Sequence, residues 1–188
     1  MYKLLQINTV AVNGSTGRIA EGIGVAAKNR GYDTYIAYGR NNPEHSASKL
    51  IRIGNDCSVY EHVFETRLFD RQGLASRIAT RRFLGQLEAL NPDLVHLHNL
   101  HGNYINYKLL FEFLSRNDIP VVWTIHDCWP FTGHCVHFTA VHCNKWQTGC
   151  FSCPRLKGYP QSYLLDRSKK NYDEKKKVFC SVNNMTVV

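Results

Sequence analysis

The sequence predicts an α/β fold: a parallel sheet with helices on both faces, followed by a cysteine-rich loop. Three observations predict it. Short apolar runs rich in β-branched residues alternate with stretches whose apolar residues recur at helical spacing. Gly, Asn and Pro mark the boundaries between them. From Cys128 onward the periodicity stops, and five of the seven cysteines fall between positions 128 and 153.

Leu4 to Val10 is the first strand, and Asn13-Gly14-Ser15-Thr16-Gly17 is a Gly-rich turn after it. Arg18 to Asn29 is a helix carrying Ile19, Ile23, Ala26 and Ala27, ended by Gly31. Thr34 to Tyr38 is the second strand, Gly39 to Ser48 a polar loop, and Leu50 to Ile53 a short third strand. Residues 57–90 are helical in two pieces broken at Gly73. One piece has Val59, Val63, Phe64 and Leu68 on its apolar stripe, the other Ile78, Leu84, Leu87 and Leu90. Asn91-Pro92-Asp93 stops the second piece, and Leu94 to His98 is a strand. A helix over Tyr104–Ser115 and a strand over Pro120–Ile125 follow. Beyond the cysteine-rich stretch, at about 126–160, we expect a helix over Leu164–Lys177 and strands at Val178–Cys180 and Met185–Val188.

The 188 residues suffice for one domain with its own core. A hydrophobic fraction of 44% with 20% charged residues excludes a disordered chain. No stretch reaches the roughly 18 apolar residues of a membrane span, and the N-terminus lacks the pattern of a secretory signal, so a cytoplasmic protein is expected. The net charge of +8 concentrates in two sets: Arg67, Arg71, Arg77, Arg81 and Arg82, and the run from Arg155 to Lys177 with Lys169, Lys170, Lys175, Lys176 and Lys177. Such sets are either solvated helix faces or contacts for an anionic partner, a membrane surface or a pyrophosphate.

Ligands of open parallel sheets bind beyond the carboxyl ends of the strands, and three groups stand there. Gly14, Ser15, Thr16 and Gly17 offer backbone N–H groups and the positive end of a helix to a phosphate. In His96-Leu97-His98-Asn99-Leu100-His101-Gly102, alternation puts His96 and His98 on one face, with His98, Asn99 and His101 at the strand end. His126-Asp127 closes the next strand and suits orientation of a substrate hydroxyl or proton transfer.

Cys135, Cys143, Cys150 and Cys153 are separated by seven, six and two residues. Four thiolates complete a closed, structural tetrahedral zinc site. Cys128 is a fifth thiol, and His134, His137 and His142 are substitute ligands. Disulfides and free thiols are the other readings of the same residues.

Four stretches resemble a known family. They are Asn8-Thr9 with Gly14–Ala20, Pro92–Gly102, Thr124–Cys135 and Cys143–Pro154. The chain resembles the N-terminal, Rossmann-like domain of retaining GT-B glycosyltransferases of the family 4 type, the kind found in bacterial polysaccharide biosynthesis. The resemblance implies sugar transfer from a nucleotide-sugar donor to a glycan or lipid-linked acceptor, without a catalytic metal. It implies that Gly14, Ser15, Thr16 and Gly17 approach the donor phosphates and that His126 hydrogen-bonds the transferred sugar. It further implies that His98 and Asn99 line the acceptor pocket, with His101 beside them. Relatives often carry methionine in place of Cys128, which leaves Cys135, Cys143, Cys150 and Cys153 as the metal set. The donor-binding C-terminal domain has no counterpart after residue 160, so residues 1–188 are expected to be inactive alone. Competing readings are a zinc-binding nucleic-acid module, for which the basic residues do not interleave with Trp129 and Trp146, and a non-catalytic half of a split glycosyltransferase. A hydrolase using His126 and Asp127 lacks a nucleophile. Nucleic acid is not the expected partner; an anionic membrane surface is.

Overall fold

A computed structural model describes residues 1–43 and 45–188; Glu44, inside the expected loop Gly39–Ser48, lies outside the described residues. Strands β1 (Lys3–Val10), β2 (Asp33–Arg40), β3 (Lys49–Arg52), β4 (Leu94–Leu97), β5 (Val121–Trp123) and β6 (Met185–Val187) form one sheet in the order β3-β2-β1-β4-β5-β6. Every pairing is parallel. Helix α1 (Gly14–Lys28) joins β1 to β2; α2 (Asp56–Phe69) and α3 (Arg77–Leu90) join β3 to β4. Helix α4 (Tyr107–Asn117) joins β4 to β5, and α5 (Ser168–Phe179) precedes β6. The strand order reverses between β1 and β4, which opens a crevice at their carboxyl ends.

Both faces are covered. On one, Leu5, Ile7, Val95, Leu97 and Trp123 meet Phe83, Leu87, Leu110, Phe111, Leu114 and Phe179 from α3, α4 and α5. On the other, Ala20 of α1 packs with Ile36 and Tyr38. That second contact is close because α1 buries Gly17, Ala20 and Gly24 rather than the expected Ile19, which is exposed. A Cβ on Gly17 would stand 3.2 Å from the backbone of Val12, so a larger residue would push the helix off the strand end. The helix ends in a Schellman pair, with Tyr32 N–H donating to the Ala27 carbonyl and Gly31 N–H to that of Lys28. Asn55 and Ser58 cap α2 reciprocally, and the Asn106 side chain accepts from Leu109 N–H at the start of α4.

Several expected boundaries shift. Residues 14–17 are the first turn of α1, not a turn preceding it. Strand β2 runs on through Gly39 and Arg40. Tyr104 to Asn106 precede α4, and α5 starts at Ser168. Val178 and Phe179 end α5 instead of forming a strand, because burial of Phe179 against Trp123 and Phe111 outweighs the local β-propensity. Phe64 and Ile78, assigned to apolar stripes, are exposed; Val59 is buried as expected, joined on α2 by His62 and Thr66.

The segment between β5 and α5 contains no strand or α-helix, only the 3-10 turns Trp129–Phe131, Thr139–Val141 and Lys145–Gln147. Two buried charged residues tie it down. Asp70, the left-handed residue that ends α2, accepts from His134 Nδ1 (2.6 Å) and Arg167 N–H (2.9 Å). Lys175, expected on a solvated face, is buried; its Nζ donates to the carbonyls of Trp129 (2.8 Å) and Thr132 (3.0 Å) and lies 3.8 Å over the Trp129 ring. Lys175→Met keeps the length of the side chain and leaves both carbonyls unpaired, so it is expected to lower stability by about 2–3 kcal/mol. The midpoint of urea unfolding, with an unchanged slope, is the measurement that checks it.

Candidate functional site

The crevice between β1 and β4 is built from polar residues set into apolar strands. Gln6, on the α1 side of β1, donates through Nε2 to the Ala20 carbonyl (2.7 Å). That bond fixes the amide, so Oε1 faces His98 Nε2 at 3.1 Å and accepts from it. His98 Nδ1 must then accept, and His126 Nε2–H, 3.0 Å away, donates to it. His126 is left with Nδ1 as an acceptor. His96, on the same face as His98 as alternation requires, stacks on its ring at 4.3 Å and hydrogen-bonds Thr124 Oγ1 (2.8 Å).

All three histidines of this relay are held neutral. Burial pushes the pKa of His98 down to about 3, with His96 and His126 adding to the effect. Burial also lowers His96 and, against the opposing charge of Asp127, His126. Neutrality is what makes the tautomer assignment single-valued, since an imidazolium has no acceptor nitrogen.

A second pair lies beside the relay. His101 Nε2 and Asp127 Oδ2 are 2.5 Å apart, and His101 Nδ1 meets the Tyr159 hydroxyl at 3.2 Å. Burial works against the charged form of Asp127, but the hydrogen bond and charge of His101 and the Trp129 N–H outweigh it and leave the carboxyl below its usual range. The Trp129 N–H donates to Asp127 Oδ1 (2.8 Å), so both carboxylate oxygens are engaged.

The first turn of α1 borders the same crevice. Asn8 Nδ2 donates to Thr16 Oγ1 (3.2 Å), and Asn8 Oδ1 accepts from Asn99 N–H (3.3 Å), so one β1 side chain touches both the helix start and the end of β4. Thr9 Oγ1 donates to the carbonyl of His101 (2.5 Å). Gly102 is required beside it: its φ is +111°, and a Cβ would lie 2.4 Å from Thr9 Cγ2. The structure therefore gathers Gly14–Gly17, His98, Asn99, His101, His126 and Asp127 around the carboxyl ends of β1, β4 and β5.

Sequence reasoning missed Gln6, Asn8, Thr124 and Tyr159 as parts of this arrangement. Gln6 had a signal, an amide inside an otherwise apolar strand. Tyr159 had none, because it arrives from the irregular segment 58 residues beyond His101.

The four thiols assigned to zinc do line one small enclosure with Phe138 and Trp146. Even so, no group of three or more His, Cys, Asp or Glu side chains among the described residues is placed to hold a metal ion. A zinc site at Cys135, Cys143, Cys150 and Cys153 is thus not supported by the arrangement of the described residues. The neighbouring Cys153 thiol holds the Cys135 thiol low, at about 6, and burial pushes the Cys150 thiol up. All seven cysteines are free in the structure.

The depressed histidines make stability pH-dependent with a defined sign. Between pH 6.5 and about 3 the unfolded chain takes a proton on His98 that the folded chain refuses, so stability falls as pH drops through that window. Nitrogen-15 NMR of the imidazoles is expected to show His98 as the neutral Nε2–H tautomer from pH 8 to pH 5; protonation near the ordinary histidine value contradicts the relay.

Comparison with known proteins agrees with this architecture. Residues 16–151 match the family described as Glycosyltransferase Family 4. The chain is 26% identical over 187 residues to the putative colanic acid biosynthesis glycosyl transferase WcaC of Escherichia coli (strain K12), covering 94% of this chain and 45% of that protein. It thus spans less than half the length of that relative. The structure of Phytolacca americana UGT2 complexed with UDP-2fluoro-glucose and pterostilbene superposes with a TM-score of 0.51 at 12% identity, over 100% of this chain and 48% of that one, which is a likeness of fold alone. With a family match over most of its length and the sheet, crevice and strand-end residues in place, the chain belongs to Glycosyltransferase Family 4.

Proposed function

We propose that this chain is the acceptor-side half of a retaining glycosyltransferase that moves a sugar from a nucleotide-sugar donor to a glycan or lipid-linked acceptor. The observation that carries the reading is the convergence of His126 and Asp127 with His98, Asn99, His101 and the start of α1 in one crevice. Its place of work is the cytoplasmic side of a membrane, where nucleotide sugars are made. No helix among the described residues is long and apolar enough to cross a membrane, so any attachment in this part of the molecule is at the surface.

Each group has a role that follows from its chemistry. The N–H groups of residues 14–17, at the positive end of α1, face the donor diphosphate. His126 accepts a hydrogen bond from a hydroxyl of the transferred sugar through Nδ1, the nitrogen that its bond to His98 leaves open. His98 and Gln6 are positioning residues for it. Asp127 has both oxygens occupied, so it orients His101 toward the acceptor rather than taking a proton itself. Asn99 lines the acceptor side.

The relative is about twice as long, and departure of a nucleoside diphosphate needs stabilisation of its growing charge from the donor side. The chain alone is therefore expected not to turn over; robust sugar transfer by the purified 188-residue chain overturns this division of labour. In the full-length protein, His126→Ala is expected to lower kcat by about a hundredfold or more while the fold is kept, because the lost contact strengthens in the transition state. Steady-state kinetics with labelled donor read this out, and an unchanged kcat removes His126 from the site. Retention comes from the family resemblance. NMR of the product is expected to show an α-linkage from an α-linked donor, and a β-linked product replaces retention with inversion.

A further inference from the structure

The Asp127–His101 pair continues one residue further, to Tyr159. A carboxylate oxygen only accepts, so the hydrogen between Asp127 Oδ2 and His101 Nε2, 2.5 Å apart, sits on the histidine. In the neutral ring Nδ1 then holds a lone pair, and the Tyr159 hydroxyl, 3.2 Å away, donates to it. Both nitrogens of His101 are thereby engaged, and the side chains of His101 and Asp127 are nearly buried. Tyr159 differs from them. It is 46% exposed, and it lines a cleft of about 130 Å³ with Arg40, Thr66, Arg67 and Asn103. Having given its one hydrogen to His101, its oxygen keeps lone pairs for a hydroxyl that enters from the cleft.

The hydroxyl is not needed to hold the segment that carries it. Ser162 N–H donates to the Leu156 carbonyl (2.9 Å), Tyr163 N–H to that of Arg67 (2.7 Å) and Leu165 N–H to that of Leu68 (3.2 Å). The Tyr159 ring also meets the His101 ring edge-on at 5.8 Å, a contact that phenylalanine would keep. Burial raises the phenol above its usual range, against the opposing pull of the Arg40 charge and the Gln72 amide, so Tyr159 keeps its hydrogen at neutral pH. It is therefore suited to pass a proton on rather than to act as a phenolate. The Gln72 amide is buried beside it, without a full hydrogen bond among the described residues, and can donate to the oxygen as negative charge develops there.

We infer that Tyr159 contacts the acceptor hydroxyl and that Tyr159, His101 and Asp127 form a proton relay for the transfer step. The inference rests on the sugar-transfer reading above and adds a catalytic residue to it, with His101 reaching the acceptor through the phenol. As the acceptor oxygen bonds to the anomeric carbon, the bond from that carbon to the diphosphate breaks and the diphosphate leaves with the electron pair. The acceptor's proton passes to the Tyr159 oxygen while the phenol's own proton passes to His101 Nδ1. The imidazolium so formed is held by the Asp127 carboxylate and returns its proton to water after release of the product.

Two measurements test the relay. In nitrogen-15 NMR of the chain, His101 is expected as the Nε2–H tautomer, with an Nδ1 resonance that moves in Tyr159→Phe. Asp127→Asn is expected to reverse the tautomer, because the new amide keeps an oxygen for Trp129 N–H and turns an N–H toward Nε2. In the full-length protein, single-turnover sugar transfer is expected to slow by about a hundredfold in Tyr159→Phe and in Asp127→Asn. The double variant is expected to be no slower than either alone, as for residues that act as one unit. Transfer by the wild type is expected to slow in heavy water with a curved dependence on deuterium fraction, since two protons move together, and Tyr159→Phe is expected to lose that curvature. Tyr163→Phe, an exposed tyrosine on the same segment, is expected to change none of these. A His101 Nδ1–H tautomer in the wild type, or a Tyr159→Phe protein that transfers sugar as fast as the wild type, overturns the relay and leaves the transfer reading standing. A wild-type full-length protein that transfers no sugar removes the transfer reading, and the relay with it.

Discussion

Two buried charged residues, Asp70 and Lys175, hold the half of the site that has no secondary structure to hold it. The roughly forty residues between β5 and α5 contain three 3-10 turns and no ladder of their own, so their backbone groups need partners from elsewhere. Asp70 supplies a carboxylate to His134 and to the Arg167 N–H, and its own carbonyl accepts from Asn171. Lys175 supplies two hydrogen bonds to the Trp129–Thr132 turn and sits on the Trp129 ring. Trp129 N–H in turn holds Asp127. The geometry of the His101–Asp127 pair thus depends on a lysine 48 positions further along the chain.

The histidine relay illustrates how burial and tautomer act together. A single hydrogen bond from Gln6 to the backbone of α1 determines that His98 faces the amide oxygen and not the nitrogen, and from there each nitrogen's role follows to His126. Protonating His98 would place a charge in a poorly hydrated crevice and leave two donors, its Nδ1–H and His126 Nε2–H, facing each other. The same arrangement fixes the orientation of His126 before any ligand arrives, which is the kind of preorganisation that makes a hydrogen bond useful in a transition state. It also couples the site to α1, since the anchor of the relay is a carbonyl of the helix whose first turn borders the crevice.

The distribution of charge has a comparable logic. Of the two basic sets, the α5 set splits, with Lys175 drawn inside and Lys176 and Lys177 left in water. The arginine set stays on the surface, as do Phe64 and Ile78, residues that helical periodicity alone would place in the core. Helix α2 reaches its burial through Val59, His62 and Thr66, and His62 is satisfied at both nitrogens by Ser76 and the Gly73 N–H. A core built partly from hydrogen-bonded polar groups frees apolar residues for the outer face.

By itself the sequence determined the alternation of strands and helices, the parallel sheet, and the strand ends at which His98, Asn99, His101, His126 and Asp127 stand. Those features follow from local periodicity, and for a parallel sheet periodicity fixes where the strand ends must lie. The family was legible for the same reason, in contiguous stretches around those ends. Which side of α2 is buried, that Phe179 ends a helix, that Lys175 is inside and that the four clustered thiols line one enclosure were decided by tertiary packing. So was the arrival of Tyr159 beside His101. Each of these depends on partners distant in sequence, whose burial outweighs local preferences of a few tenths of a kcal/mol per residue, and no window of neighbouring residues contains that information.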